Sequence, residues 1–215
     1  TVSRSEDDMN ILVTGAKGFI GQNLVAELSS QGIYQIFEYT RDSDPSLLEK
    51  YAKESDFVFH LAGVNRPQNE NEFMEGNYEF TSRLLELLKK SGNKSPIVTI
   101  SSTQAEFANP YGKSKKAMED LMFDYQKKTG AQVYIYRLSN IFGKWSRPNY
   151  NSVVATYCYN IARDMEIQIH DPNVRLTLCY IDDVIDEFMR ATKGNPTVLR
   201  NYCVVPIAHT ILLGE

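Results

Sequence analysis

A chain of 215 residues that is 42% hydrophobic and 23% charged has the make-up of a globular protein able to bury a sizeable core. Its net charge of −4 at pH 7 offers no electrostatic footprint for nucleic acid or an anionic membrane surface, and no apolar run approaches the roughly 20 residues needed to span a bilayer. Cys158, Cys179 and Cys203 stand singly without metal-ligand spacing and read as reduced core thiols of a cytoplasmic protein.

In chain order, the polar opening TVSRSEDD (1–8) is expected to be a tag or disordered extension ahead of the first strand. NILVTG (10–15) is a short apolar strand that runs into glycine. FIGQNLVAELSSQG (19–32) follows as a helix, with Ile20, Leu24 and Leu28 on one face and Gly32 as its C-cap. YQIFEYT (34–40) is the second strand and SLLEKYAKES (46–55) a short helix. DFVFHLAG (56–63) is almost continuously apolar, as suits a parallel strand covered on both faces. A helix over 78–92, a strand over 96–102, a long glycine-ended helix over 111–130 and a strand over 132–139 continue the alternation. Strands alternating with helices predict an α/β fold, a doubly wound parallel sheet (Rossmann fold). After Phe142 the pattern weakens: a polar, aromatic loop over 143–152, helices over 153–164 and 180–194, and a closing HTILLGE that reads as a strand-to-helix junction. The division that follows is a dinucleotide-binding core over 9–144 and a small substrate-binding region over 145–215 that returns to the core.

Gly15, Gly18 and Gly21 form a G-x-x-G-x-x-G pattern in TGAKGFIG. Glycines there permit a tight turn and close backbone approach, and the following helix N-terminus offers free N–H groups to a diphosphate. A ligand-free tight turn would need the same glycines. The place of the pattern, between the first strand and first helix, is what points to phosphate. Twenty residues beyond Gly21, where an acid would bind the ribose 2′-hydroxyl of NAD, stand Thr40 and Arg41. A guanidinium suits a 2′-phosphate, with Lys17 adding charge, and predicts NADPH. In the competing reading Arg41 is a solvated loop residue and Asp42 or Glu38 serves NAD.

Tyr111 and Lys115 lie four apart on a helix and share a face. A free phenol, with a pKa near ~10, is a poor proton carrier at neutral pH, and a neighbouring ammonium pulls it down. The pair can then give a proton to a carbonyl oxygen while hydride reaches carbon. SST (101–103) ends the preceding strand with hydroxyls that could steady the same oxygen. A Tyr-x-x-x-Lys pair alone arises often by chance; its meaning comes from following the glycine loop and the hydroxyl-bearing strand end. His60, His170 and His209 are far apart in sequence and read as core or surface residues; no metal site is expected.

With TGAKGFIG, FHLAG, Asn77 and Thr81 ahead of LLELL, ISST, YGKSK, RLSNIFG and YIDDV, the chain resembles the extended short-chain dehydrogenase/reductases, in the NAD-dependent epimerase/dehydratase family. YIYR, FGKW, PNYNSV and LTLCYIDD are similar to the CapF-type reductases of capsular polysaccharide synthesis. The resemblance implies that Tyr111 and Lys115 are the catalytic pair, with Thr103 as hydroxyl partner and Ser102 in reserve. It implies cofactor contacts from the glycine loop with Phe19 and Ile20, from Leu61, Ala62 and Gly63, and from Asn77 and Lys115. Substrate would meet Asn140, and Arg147, Asn149, Asn151 and Arg175 are candidates for its diphosphate. The implied reaction is NADPH-dependent reduction of the C4 ketone of a UDP-linked 2-acetamido-2,6-dideoxy-hexulose on the route to UDP-N-acetyl-L-fucosamine. The implied context is cytoplasmic, with a homodimer and a C-terminal metal-binding cupin domain outside this chain. Met118, Leu121 and Met122 could serve a dimer contact on the long helix or belong to the core.

Three departures from the family pattern stand out. Too few residues separate Arg41 from Asp56 for the usual extra strand and helix; only seven separate Thr103 from Tyr111; and Arg175 lies one residue before the register of the family arginine, which Leu176 fills. Gln104 and Ala105 after Thr103 replace the acids a dehydratase would need. The alternatives left are an NAD-dependent nucleotide-sugar 4-epimerase and a non-catalytic NADP-sensing binding protein.

Overall fold

A computed structural model describes residues 9–214; the segment 1–8 and Glu215 lie outside the described residues. Its elements run β1 (Met9–Thr14), α1 (Phe19–Gln31), β2 (Tyr34–Tyr39), α2 (Pro45–Glu54), β3 (Phe57–His60), α3 (Asn71–Met74), a π-turn (Glu75–Glu79) and α4 (Phe80–Lys90). Then come β4 (Ile97–Ser102), a 3₁₀ turn (Thr103–Glu106), α5 (Pro110–Thr129), β5 (Val133–Leu138), β6 (Asn140–Phe142), α6 (Val153–Ile161), β7 (Arg175–Tyr180), α7 (Ile181–Thr192), β8 (Val198–Leu199), β9 (Tyr202–Cys203) and β10 (His209–Leu212).

The main sheet has the order β2-β1-β3-β4-β5-β9-β8, parallel except for the short β8–β9 pair. This is the doubly wound α/β fold. The chain leaves β1 toward β2 on one side and later returns to pair β3 on the other, so a crevice opens beyond the carboxyl ends of the strands. With α2 leading straight into β3, β2 is the edge strand; the short stretch between Arg41 and Asp56 holds one helix and no strand. A second sheet, β10-β7-β6, carries the late part of the chain.

Alternation along the strands divides the core in two. Ile11, Val13, Phe57 and Phe59 face α1 and α7, where Leu24, Leu28, Val184 and Phe188 are fully buried. Leu12 and Val58 face the other way, toward Leu48, Leu84, Leu88, Met118 and Met122. Met118 and Met122 are thus core, with Leu121 partly buried beside them. Gly32 and Gly130 end α1 and α5 in left-handed conformations, at φ 67° and 75°, where a Cβ would be strained.

Several expectations need correction. The helix expected over 78–92 starts earlier, as α3 and the π-turn, because Gly76 and Asn77 disguise helical continuity. The strands β6 and β7 are additional to those expected; exposed and partly buried positions along β7 lack the apolar weight of a central strand. Cys179 and Cys203 are buried free thiols, but Cys158 is exposed, since α6 buries none of its residues. In the described part of the HTILLGE stretch, His209–Leu212 form β10, antiparallel to β7, and Leu213 and Gly214 form a turn where a helix start was expected.

Phe59 is fully buried between Phe57 and Phe188, at ring separations of 5.0 and 5.7 Å. Phe59→Ala is expected to cost about 3–5 kcal/mol, read as a lowered midpoint in chemical denaturation with little change in slope.

Candidate active site

A cavity of about 590 Å³ occupies the crevice beyond the strand ends. One wall is the glycine turn. Gly15 takes φ 72°, and a Cβ there would lie 2.7 Å from the backbone N of Ala62; one on Gly21 would lie 2.2 Å from the Gly15 carbonyl oxygen. α1 starts at Gly18 with no side-chain cap and no acid in its first turn. Its free N–H groups and positive dipole end therefore face the cavity unneutralised, which fits a dinucleotide diphosphate.

The opposite wall carries the tyrosine and lysine. Asn109 caps α5 by accepting from the Gly112 N–H at 2.7 Å, and Pro110 fills the first helical position, so Tyr111 falls on the first turn. A Cβ on Gly112 would lie 2.3 Å from the Gln104 carbonyl oxygen; glycine there lets the 3₁₀ turn pack on the helix. The Lys115 ammonium is buried, donates to the Ile100 carbonyl at 3.2 Å and lies 5.9 Å from the Tyr111 ring centroid. Burial brings Lys115 down to about 8, opposed by the charge of Glu119. Tyr111 differs from expectation: burial pushes its phenol up, and the neighbouring Ser102 side chain pulls it partly back. Between the two candidate hydroxyls, Ser102 is the one on the cavity wall and against Tyr111, while Thr103 starts the 3₁₀ turn as an exposed residue.

A buried polar chain fixes both walls. The Thr81 hydroxyl donates to the Asn77 carbonyl at 2.7 Å, so it accepts from His60 Nε2–H at 2.8 Å. His60 Nδ1 is then the acceptor from the Thr14 hydroxyl at 2.8 Å, which in turn accepts from the Ala62 N–H at 3.3 Å. The imidazole is neutral, held down to about 3 by burial and by the Lys115 charge. Asn77, in the middle of the π-turn, grips Val64 through both N–H and carbonyl at 2.9 Å and donates to Ser114 Oγ at 3.0 Å. Ser114 donates to the Tyr111 carbonyl at 2.8 Å. Asn77 is thus a brace behind the cavity.

Of the other expected residues, Lys17, Phe19, Ile20, Leu61 and Gly63 reach the cavity, as do Asn140, Arg147 and Asn151 on its far side. Ala62, Asn149 and Arg175 stand off its wall: Asn149 donates its N–H to Thr156 Oγ1 at 2.9 Å, and Arg175 lies exposed on β7 opposite Leu212. Thr40 and Arg41 also lie off the wall, at the end of β2, where the Gly15 N–H meets the Tyr39 carbonyl at 2.9 Å. Arg41 makes no ion pair among the described residues, whereas Lys17 approaches Asp42 at 3.7 Å. Sequence reasoning missed Arg66, Tyr150 and Trp145. Arg66 and Arg147 lie 5.4 and 5.2 Å from the Tyr150 ring centroid, and the Tyr150 hydroxyl meets Asn65 Oδ1 at 3.5 Å, so the polar loop closes on the one after β3. An arginine after HLAG and a tyrosine in the aromatic loop were the available signals.

A model of the NAD dependent epimerase/dehydratase family matches residues 11–198. A UDP-2-acetamido-2,6-beta-L-arabino-hexul-4-ose reductase of Pseudomonas aeruginosa is 48% identical over 96% of this chain and 55% of its own length. The crystal structure of the capsular polysaccharide assembling protein CapF from Staphylococcus aureus superposes with a TM-score of 0.87 at 48% identity, over 96% of this chain and 56% of that one. A UDP-glucuronic acid 4-epimerase from Bacillus cereus in complex with NAD, 21% identical with a TM-score of 0.84 over 95% of this chain and 79% of that one, shares the fold. This chain spans about half the length of the first two relatives. It belongs to the NAD dependent epimerase/dehydratase family.

The neutral, buried His60 predicts an acid sensitivity. Its folded-state value of about 3 lies below the ordinary imidazole value of 6.5, so the unfolded chain binds the extra proton. Its contribution is fully present above about 6.5 and is lost as pH falls toward 3. His60→Gln is expected to flatten that part of the stability-against-pH curve, measured by chemical denaturation across the range.

Proposed function

We propose that this chain carries the reductase chemistry of an NADPH-dependent enzyme that reduces the C4 ketone of a UDP-linked 2-acetamido-2,6-dideoxy-hexulose in capsular polysaccharide synthesis. The observation that carries the reading is the meeting of Ser102, Tyr111 and Lys115 on one wall of a cavity whose other wall is an uncapped glycine turn. The 48% identity to a hexul-4-ose reductase supports the substrate class.

Gly15, Gly18 and Gly21 hold the cofactor diphosphate, and Lys115 meets the ribose beside the nicotinamide. Bound NADPH supplies hydride to the sugar C4. Tyr111 gives its phenolic proton to the ketone oxygen as the alcohol forms, and Ser102 holds that oxygen in place. Lys115, charged below about 8, stabilises the phenolate until solvent returns the proton. Arg66 and Arg147, two exposed cations flanking Tyr150 with no carboxylate within ion-pair distance among the described residues, suit the substrate diphosphate.

Arg41 beside the glycine turn supports NADPH. The competing NAD reading has its own support, the Lys17–Asp42 pair at the same corner, which puts a carboxylate near the ribose position. Tyr111→Phe is expected to lower kcat by about 10²–10⁴-fold while NADPH binding stays within about twofold. Arg41→Ala should weaken NADPH and leave NADH nearly unchanged. Steady-state absorbance with both cofactors and a UDP-4-keto-6-deoxy sugar checks both. Equal use of the two cofactors by the unmodified protein would remove the Arg41 argument, and undiminished turnover in Tyr111→Phe would overturn the mechanism.

A further inference from the structure

Behind the cavity lies a buried charge cluster that the reaction as drawn leaves without a role. Glu119 is fully buried on α5, one helical turn beyond Lys115. Its Oε1 accepts from Ser101 Oγ at 2.6 Å and from Arg137 Nε at 2.8 Å. Its Oε2 accepts from Arg137 Nη2 at 2.7 Å and from the Tyr202 hydroxyl at 3.1 Å. Arg137, on β5, also donates through Nη1 to Glu106 at 2.8 Å and lies 3.9 Å from the Tyr202 ring centroid.

The cluster touches each segment that brings the reacting groups together. Ser101 immediately precedes Ser102. Glu106 belongs to the 3₁₀ turn joining Ser102 to α5. Glu119 shares α5 with Tyr111 and Lys115. A fork of guanidinium donors on a carboxylate tolerates little rotation or sliding. The strand end, the short turn and the helix are therefore locked in one register.

The charge pattern adds a second effect. Lys115 faces Tyr111 and Glu119 along its own helix, His60 from β3 and the Ile100 carbonyl from β4, with Arg137 of β5 behind Glu119. His60 is neutral, so Glu119 is the carboxylate that opposes the cost of burying the ammonium, and Arg137 moderates it. We propose that Glu119, paired with Arg137, is the positioning residue of this site: it fixes the strand end that carries Ser102 relative to Tyr111 and places a buried carboxylate one helical turn from the Lys115 ammonium.

The two members of the pair should act on Lys115 in opposite directions. Glu119→Gln leaves two cations without their shared carboxylate, so Lys115 releases its proton at lower pH. Arg137→Gln leaves the carboxylate unmoderated, so the release moves to higher pH. A merely structural pair would lower stability in both variants and move neither release point. The inference rests on the reductase reading, but its first readout needs no sugar: NADPH affinity against pH, followed by the nucleotide's own fluorescence, in the full chain. Glu119→Gln is expected to shift the alkaline loss of affinity down by about half a pH unit or more, and Arg137→Gln to shift it up. Ser101→Ala, which removes one hydroxyl contact and no charge, is expected to lower kcat about fivefold with the release point unmoved.

Shifts of opposite sign support the proposal even if the ketosugar is not turned over, in which case the reductase reading alone fails. Release points that stay together within about 0.2 pH unit, or move the same way, overturn it. If Glu119→Gln does not fold, Arg137→Gln and Ser101→Ala decide: an unmoved release point in the first, or an unchanged kcat in the second, overturns the corresponding half.

Discussion

The divergence of the chain at β1 is the constraint on which the rest depends. β1 pairs in register with β2 along Met9–Thr14 and with β3 along Ile11–Thr14, and both partners are parallel to it. A strand buried on both faces and both edges fixes where its carboxyl end emerges. That end delivers Gly15 and the N-terminus of α1 into a gap that no crossover covers. The hydrophobic contacts on the two faces hold the sheet in place, and the sheet in turn holds the gap open.

Polar groups inside such a core must be paired, and here the pairing links the two sides of the gap. The run from the Ala62 N–H through Thr14, His60 and Thr81 to Asn77, and on through Ser114 to Tyr111, is continuous. It connects the strand that feeds the glycine turn with the helix that bears the phenol. Asn77, in the middle of the π-turn, serves Val64 and Ser114 together with one side chain. The Glu119–Arg137 cluster does the same for β4, the 3₁₀ turn and α5. Between them, the two networks hold a half-buried phenol and a buried ammonium where burial alone would disfavour charge.

Much of the core and of the cofactor side was legible in the sequence because those features are local. Glycine spacing, apolar strands, the Asn-Pro start of α5 and its Tyr-x-x-x-Lys pair each declare themselves within a few residues. The far side was less legible. β6 and β9 are only three and two residues long, β7 is mostly exposed or partly buried, and β6 and β7 pair with each other across a long stretch of chain. The choice between Ser102 and Thr103 turned on one residue of register at a strand end. Arg66 and Tyr150 share a contact although they are far apart in sequence, and no local pattern announces it.

By itself, the sequence determined the fold class, the glycine turn, the long helix α5 and its first-turn tyrosine, because periodicity, capping and glycine geometry act over a single turn or strand. The tertiary structure decided which hydroxyl meets the phenol, that burial opposes the lysine's charge instead of the lysine simply lowering the tyrosine, and that Asn77 braces the cavity from behind. Those outcomes depend on desolvation and on hydrogen bonds between residues far apart in sequence, as between Asn77 and Ser114, 37 positions apart, and neither can be read from spacing.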